Sequence, residues 1–318
     1  EDIGAIPTGV YTYTALADGQ CDSLWKQQNI GRVGQSLKSA LITAQPELTL
    51  EYQPALSSSE AIEHEQTGDA DFAILPLALS AELPANIGSE IIAYDGLAVF
   101  VAFSYSERTK GIPNALNGQL SLDDLQAIYL GNVDSWRELG GPWLPIQTYR
   151  SERPEVAEIF EQQVLYPIDF SRTSLETIPQ FPTLEMLRTV IRDFENKGVG
   201  SIGFAPLSQI LGRCSVYPLA LRAGGQPAVH PLTFSSGVAV EPTTDLCDRK
   251  GLYHPNIDVF QTGAYPLAYS LSIVYPQDNS RQPIGQKFAE LLQTDEGQDL
   301  LSEAGLVPLR NLWNPKNQ

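Results

Sequence analysis

The chain has 318 residues, of which 42% are hydrophobic and 18% charged, so it is long enough for two domains with sizeable cores and does not have the composition of a disordered protein. Its 20 basic and 38 acidic residues give a net charge of −18, and the scattered Lys and Arg residues form no basic stripe, which argues against nucleic acid as a partner. No apolar run of the sequence approaches the roughly 18–20 residues that span a bilayer.

Strand-like and helix-like segments alternate along the first hundred residues. Stretches rich in Tyr, Thr and β-branched residues predict strands, and apolar residues at helical spacing predict helices. The predicted strands are Gly9–Thr14, Leu48–Tyr52 and Asp71–Leu77, and the predicted helices are Val33–Thr43 and Ser58–Gln66. The long apolar run Ile91–Ser104 contains Asp95-Gly96, a pair typical of a hairpin or of a change of strand.

The second half of the chain continues this alternation, which indicates an α/β fold. Ser121–Asp124 predicts the start of a helix with acidic residues in its first turn. Further predicted elements are helices over Pro154–Val164, Thr183–Asn196 and Ile284–Ala304, and strands over Pro145–Tyr149, Ser201–Ala205 and Tyr265–Tyr275. Residues 212–264 are rich in Pro and Gly and show little periodicity.

The stretch Lys197–Pro206 contains a literal G-x-G-x-x-G, formed by Gly198, Gly200 and Gly203. In dinucleotide-binding proteins this motif follows a strand and opens a helix, whose N-terminus holds the pyrophosphate. Here the order is reversed, because a predicted helix precedes the glycines and a predicted strand follows them. The motif therefore indicates a tight helix-to-strand turn, and no cofactor is predicted.

Three cysteines stand at positions 21, 214 and 247, and none belongs to a C-x-x-C motif or a Cys/His cluster. This spacing argues against a zinc site, and no metal is predicted. Cys214 and Cys247 flank the Pro/Gly-rich segment, and a disulfide between them is favoured over three free core thiols. Such a disulfide would indicate an oxidising compartment and would leave Cys21 unpaired.

Two long β segments are candidates for hinge strands between two lobes, residues 97–104 and residues 265–275. The chain would then form lobe 1 from residues 1–102 and 268–318, and lobe 2 from residues 103–267. The alternative is a single α/β domain with a long insertion.

The sequence offers few candidates for catalysis. Its three histidines, His64, His230 and His254, lie in unrelated contexts, and His64 in E-A-I-E-H-E fits a solvated helix face. Nucleophile-elbow, zinc-protease and P-loop motifs do not occur in the sequence. We therefore predict no catalytic residues and no enzyme activity.

Four segments resemble those of the phosphate-type periplasmic solute-binding proteins of ABC transporters. Leu122–Trp136 resembles their L-T-x-x-x-L-x-x-I-Y-x-G-x-I-x-x-W segment, and Thr294–Leu309 resembles their closing T-x-E-G-Q segment. Asp69–Ala73 resembles their G-x-x-D-F-A strand, and Val199–Phe204 resembles their G-x-I-G-Y turn. The four matches follow one another in the order expected for that family.

The resemblance implies a two-lobed α/β fold of type II, with two hinge strands and a small solute held between the lobes. It implies a periplasmic or otherwise extracytoplasmic location, with a membrane transporter or a sensor protein as partner. It also implies a function without covalent chemistry, in which closure of the lobes around the solute is the output.

The family grips phosphate in part through a loop of the form R-S-D-G-S-G-T-T. Arg150 and Ser151 match that loop, whereas its central S-G-T is replaced by Pro154, Glu155 and Val156. Proline has no N–H to donate, valine has no hydroxyl, and Glu155 places a negative charge where the family seats its anion. The resemblance therefore implies the family scaffold with an altered phosphate site.

Two further loops differ from the family pattern. The first loop retains only Thr14 as a hydroxyl, and the second has Ile74-Leu75 in place of small polar residues. Ser58, at the start of a predicted helix, is either a donor to the solute or part of a plain helix cap. The predicted solute contacts are Arg150, Ser151, Thr14 and Ser58.

Two functions remain open at this point. The first is a solute-binding protein of uptake or sensing, whose solute is a small anion or a solute larger or less charged than phosphate. The alternative is a scaffold or sensor subunit that has lost its small ligand and engages a partner protein. Candidate contacts of such a partner are the aromatic residues Tyr11, Tyr13, Trp25, Trp136 and Trp143. A solute-binding protein requires polar groups around Arg150, whereas a scaffold predicts Arg150 paired internally, with Glu152 or Glu155.

Overall fold

The structure is a computed structural model, and it describes residues 7–17, 19, 36–103, 111–165, 177–277 and 283–310. Predictions for Cys21, for Trp25 and for the beginning of the helix Val33–Thr43 lie outside the described residues.

Among the strands of the described residues, β4 is the longest, with 16 residues. In chain order they are β1 (Gly9–Leu16), β2 (Leu48–Ala55), β3 (Phe72–Ala78), β4 (Ile87–Ala102), β5 (Gln119–Ser121), β6 (Ile146–Thr148), β7 (Arg150–Ser151), β8 (Gln180–Phe181), β9 (Gly200–Pro206), β10 (Val216–Pro218), β11 (Ala220–Arg222), β12 (Leu232–Phe234), β13 (Tyr253–Pro255) and β14 (Ala268–Pro276).

The helices of the described residues alternate with these strands. In chain order they are α1 (Leu37–Ala44), α2 (Ser58–Thr67), α3 (Ile112–Ala115), α4 (Leu122–Tyr129), α5 (Pro154–Phe160), α6 (Thr183–Arg192), α7 (Leu207–Ile210), α8 (Ile257–Gln261), α9 (Ile284–Gln293) and α10 (Asp295–Glu303). Ser121 caps α4 by accepting a hydrogen bond from the N–H of Asp124, which confirms the predicted helix start.

The described residues divide into two compact units. Those within Glu1–Asp95, Arg153–Glu155 and Tyr269–Gln318 form unit 1, and those within Gly96–Glu152 and Val156–Ala268 form unit 2. The chain thus passes from unit 1 to unit 2 inside β4 and returns at the start of β14. The assignment of lobes to residues 1–102 with 268–318 and to residues 103–267 stays a prediction.

Unit 1 contains the strand order β2-β1-β3-β14. β1 is parallel to β2 and β3, and β14 is antiparallel to β3. Successive side chains of a strand point to opposite faces, so β3 serves two clusters. Its residues Phe72 and Ile74 pack with Phe288 of α9, whereas Ala73 and Leu75 pack with Ala61 of α2. Ile74 and Leu75 are therefore core residues of a strand.

Unit 2 contains β9, which is antiparallel to β4 and parallel to β6. Phe204 of β9 stacks on Phe160 of α5, with ring centroids 3.9 Å apart. β10 pairs with β4 in the antiparallel sense.

The glycine-rich stretch forms the predicted helix-to-strand turn. α6 continues into one π-helical turn, Asp193–Lys197, which ends at Gly198 with a left-handed φ of 64°. β9 then begins at Gly200, whose carbonyl accepts a hydrogen bond of 2.7 Å from the indole N–H of Trp136. A side chain at position 200 would collide with that indole. The order of helix, glycines and strand is therefore confirmed.

Two predictions about these elements are wrong. Asp95-Gly96 makes no hairpin, because β4 continues through it as one extended strand. Gly96 is required there because a Cβ would lie 2.5 Å from the ring of Phe260. The predicted helix Ile284–Ala304 is two helices, because Thr294 has extended backbone and its hydroxyl caps α10 at the N–H of Gly297.

The predicted disulfide between Cys214 and Cys247 is confirmed, with Cα atoms 4.9 Å apart. It closes the Pro/Gly-rich segment, in which regular structure is limited to β10–β13 and short turns before α8. The covalent link restricts the unfolded chain over this segment, which is how a disulfide stabilises the folded state.

We expect the double variant Cys214→Ser/Cys247→Ser to lose unfolding free energy relative to the wild type. For a sequence separation of 33 residues, loop closure predicts a loss of about 3–4 kcal/mol. Urea unfolding with and without reductant measures this loss of unfolding free energy. Reduction should destabilise the wild type by a similar amount and leave the double variant unchanged, and a reductant effect on the variant would contradict the assignment.

His230 is a buried histidine in the same segment. Its Nδ1 accepts the N–H of Leu232 at 3.0 Å. Burial lowers the pKa of His230 to about 4, although the backbone carbonyls of Leu232 and Pro218 favour the charged form. The folded protein therefore holds this ring neutral at pH values where an unfolded histidine is already protonated.

This lowered pKa predicts that stability falls as the pH decreases from about 6.5 to about 4, because the unfolded chain binds the proton first. The full loss from this group is roughly 3 kcal/mol. His230→Asn keeps a hydrogen-bond acceptor and removes the titration, so its stability should fall less over this pH range. Urea unfolding at several pH values compares the two proteins, and parallel pH profiles would contradict the assignment.

Candidate functional site

Arg150 and Ser151 lie together on β7 of unit 2. β7 is parallel to β8, and the backbone N–H of Arg150 donates to the carbonyl of Pro179 at 3.1 Å. The guanidinium Nε donates to the carbonyl of Ile178 at 3.3 Å, which restrains the orientation of the side chain. The side chain is half-buried, whereas Ser151 is 1% exposed.

The guanidinium of Arg150 makes no ion pair with any carboxylate of the residues that the structure describes. A half-buried cation with one backbone acceptor keeps further N–H donors for another group. Glu152, two residues away, is exposed. Within the described residues, the arrangement therefore leaves donors on a positioned cation, which is the property that an arginine contact to a solute needs.

A hydrogen-bond network holds the backbone just before Arg150. The hydroxyl of Tyr149 donates to Asp193 at 2.5 Å, Ser201 donates to the same oxygen at 2.8 Å, and the ammonium of Lys197 lies 2.8 Å from the other. Burial alone would raise the pKa of Asp193, but the hydrogen bonds from Lys197, Tyr149 and Ser201 lower it below its usual value. Burial, followed by the bond to Asp193, raises the pKa of Tyr149 to about 12.

This network links the end of β6, the π-helical turn and β9, so it anchors the strand that leads into Arg150. The sequence analysis assigned no role to Tyr149 or Asp193. Helical spacing could have indicated that Asp193 is buried, because Asp193 follows Val190 by three residues on the same face of the helix. In the structure its side chain is 1% exposed.

The segment after Arg150 carries the residues that differ from the family loop. Pro154 begins α5, and Val156 is fully buried, so it belongs to the core. Glu155 is 2% exposed and, with Arg153 and Pro154, belongs to unit 1. Its carboxylate lies beside Gly19, at the turn that follows β1.

Thr14 and Ser58 both belong to unit 1. Thr14 is fully buried, and its hydroxyl lies 3.4 Å from Nδ1 of His64 on α2. The side-chain amide of Gln53 lies 3.5 Å from the same nitrogen. The predicted solvated position of His64 is wrong, since its side chain is 16% exposed and faces β1 and β2.

The cap of α2 is provided by Ser57, whose hydroxyl accepts the N–H of Glu60 at 3.1 Å. Ser58 is therefore the first helical residue and not the capping residue, and it is half-buried. Glu60 accepts the N–H of Leu56 and lies 3.9 Å from Nε2 of His64. The position of His64 was detectable in the sequence, because it stands three residues after the buried Ala61, on the same helix face.

The two predicted pairs of contacts thus stand in different units, Arg150 with Ser151 in unit 2 and Thr14 with Ser58 in unit 1. Among the described residues, no group of three or more His, Cys, Asp or Glu side chains is placed to hold a metal ion. Within the same residues, no helix has the length and apolar content required to cross a membrane.

Solved structures with a similar fold include several proteins named for phosphate. An ABC-type phosphate transport receptor from Vibrio cholerae is 17% identical over 93% of this chain and 99% of its own, with a TM-score of 0.63. A structure titled as a phosphate ABC transporter substrate-binding protein with bound phosphate, from Clostridium perfringens, is 17% identical over 95% of this chain and 100% of its own, with a TM-score of 0.58.

A third similar structure, PstS from Borrelia burgdorferi, is 13% identical over 95% of this chain and 99% of its own, with a TM-score of 0.58. Identities this low show a shared fold and do not show a shared ligand. No curated protein matches the sequence.

A family model described as a PBP superfamily domain matches residues 33–296, which is most of the chain. Membership of this family supports a solute-binding role without covalent chemistry. The predicted two-lobed α/β architecture is confirmed by this match together with the similar structures. The chain belongs to the PBP (periplasmic-binding-protein) superfamily, with a fold of the phosphate-binding-protein type.

Proposed function

We propose that the protein is a non-catalytic solute-binding protein that acts outside the cytoplasm in uptake or sensing. The observation that carries this proposal is Arg150, a half-buried cation that is held by a backbone carbonyl and makes no ion pair within the described part of the chain. A buried or half-buried arginine is costly unless an acceptor completes its hydrogen bonds. A bound solute would supply that acceptor.

The proposed contacts are Arg150 and Ser151 from unit 2 and Thr14 and Ser58 from unit 1. Arg150 is the charge contact, and the three hydroxyls are polar contacts. Thr14 would act with His64, because its hydroxyl is already within 3.4 Å of that ring. The resemblance to the family implies closure of two lobes around the solute.

The proposed solute is not phosphate but one that is larger or less charged. Pro154 offers no N–H, Val156 is buried in the core, and Glu155 adds a carboxylate. Like unit charges about 4 Å apart repel by roughly 4 kcal/mol at an effective dielectric of 20, which is close to a thousandfold in affinity. The solute therefore has an acceptor for Arg150 but no phosphate-like charge.

The extracytoplasmic location is supported by the disulfide between Cys214 and Cys247, because disulfides persist in oxidising compartments. A membrane transporter of the ABC type is the proposed partner for uptake, since two of the similar structures are named as ABC transport components.

The alternative function is a scaffold that engages a partner protein and has lost its solute. The scaffold hypothesis predicted that Arg150 forms an internal ion pair, and the described residues contain no such pair. Of the aromatic candidates, Trp136 and Tyr13 are buried, whereas Trp143 is 78% exposed and lies under the guanidinium of Arg137. Of the candidates that the structure describes, Tyr11 is half-buried, and Trp143 is the one whose exposure favours the alternative, so solute binding is the better-supported function.

We expect Arg150→Ala to lower the affinity for the solute at least tenfold, because the variant removes the charge-assisted hydrogen bonds. Native mass spectrometry of protein purified without denaturation identifies a retained small molecule, and calorimetry with that molecule gives the affinity. Arg222→Ala is the matched control, since Arg222 is an exposed arginine of unit 2.

Equal affinity in Arg150→Ala and the wild type would contradict the assigned contact. A wild type that retains no small molecule and gains no thermal stability from sugars, amino acids, carboxylates or oxyanions would contradict the proposed function and favour the scaffold.

A further inference from the structure

Glu155 is a carboxylate that the folded protein withdraws from water. It is 2% exposed, although it is the second residue of a helix and only three residues from the exposed Glu152. Arg153–Glu155 belongs to unit 1, whereas the residues on both sides of it belong to unit 2. Glu155 and Gly19 thus belong to the same unit.

That contact lies at the turn after β1. The N–H of Gly19 donates to the carbonyl of Leu16 at 3.1 Å and closes the turn. A Cβ at Gly19 would stand 2.8 Å from that carbonyl oxygen and 3.2 Å from Oε1 of Glu155. The carboxylate thus lies directly against the turn, and glycine is needed at position 19 because a Cβ would collide with the carbonyl of Leu16.

A carboxylate buried to this degree is stable only where hydrogen bonds or opposite charge compensate the lost water. Surroundings that replace the lost hydration of a carboxylate do the same for a soluble anion with the same head group. A tethered group competes with a soluble one at an effective concentration that reaches millimolar or more. Glu155 therefore has the advantage over anions in solution.

We propose that Glu155 is a tethered anion that occupies the turn at Gly19 and excludes soluble anions from it. This inference deepens the proposed function and rests on one part of it. That part is that the solute of this protein places no anionic group at this turn. Glu155 is then a residue that determines specificity by occupying an anion seat with the chain's own carboxylate.

Chemical rescue of Glu155→Ala tests this occupancy without knowledge of the solute. The substitution removes one methylene and the carboxylate, which together have the size of acetate. We expect acetate at about 100 mM to raise the Tm of Glu155→Ala by roughly 2–4 °C relative to sodium chloride of equal ionic strength. Acetamide, which has the same shape without charge, should not raise it.

Two controls define the result. In the wild type, the carboxylate of Glu155 already occupies the turn. Glu152→Ala removes an exposed glutamate three residues away and leaves Glu155 in place. The Tm of neither protein should therefore rise in acetate. Equal Tm shifts in all three proteins, or no shift in a folded Glu155→Ala, would overturn the proposal. An acetate response restricted to Glu155→Ala supports it whether or not a solute of Arg150 is found.

Glu155→Gln keeps the test decisive if Glu155→Ala does not fold. The amide preserves the shape of the side chain and removes its charge, so a seat that compensates an anion should hold it less well. We expect a lower Tm for Glu155→Gln and an unchanged Tm for Glu152→Gln. Equal Tm values of Glu155→Gln and the wild type would overturn the proposal.

Discussion

The continuity of β4 is the constraint on which the two-unit structure depends. This strand of 16 residues belongs to unit 1 up to Asp95 and to unit 2 from Gly96 onward, so its backbone must stay extended where one unit becomes the other. Gly96 allows Phe260 to pack against this point of the strand, because the ring of Phe260 occupies the space that a Cβ would need. Tyr265 adds to the same contact by donating its hydroxyl to the carbonyl of Leu97 at 2.9 Å. The pair Asp95-Gly96 thus suggests a turn in the sequence, but in the structure it is a point of close packing within a strand.

The proposed exclusion of phosphate rests on the charges at the candidate site. Arg150 is positioned by a carbonyl and by the network of Tyr149 and Asp193 behind it, and among the described residues it keeps donors for another group. Glu155 follows in the same loop, but it belongs to unit 1, and its carboxylate lies against the turn at Gly19 of that unit. In the proposed account, the loop keeps the cation of the family pattern, and the carboxylate of Glu155 takes the place of a soluble anion.

The fold was largely predictable from the sequence because its main elements have clear periodicity or clear end signals. Ser121 before Asp124 marked a helix start, and the glycines after α6 marked a turn whose direction excluded a dinucleotide site. Interruptions without such signals were missed. Thr294 breaks the last helix by its backbone conformation, although Ile284–Ala304 keeps helical spacing across it.

The site was less predictable, because its geometry depends on contacts between residues far apart in the chain. Nothing in the sequence places Glu155 beside Gly19 or Thr14 beside His64, since neither pair is linked by local spacing. The sequence could indicate only that Pro154, Glu155 and Val156 were unsuited to phosphate. Which carboxylate is buried, and against which turn, follows from tertiary packing.

Calorimetric titration of phosphate into protein refolded from denaturant, which removes any retained ligand, tests the central claim most directly. A solute-binding scaffold whose anion seat is filled by its own carboxylate predicts no heat of binding and no thermal stabilisation at millimolar phosphate. One-to-one binding of phosphate with micromolar or tighter affinity would contradict the account, since it would mean that the altered loops still form a phosphate site.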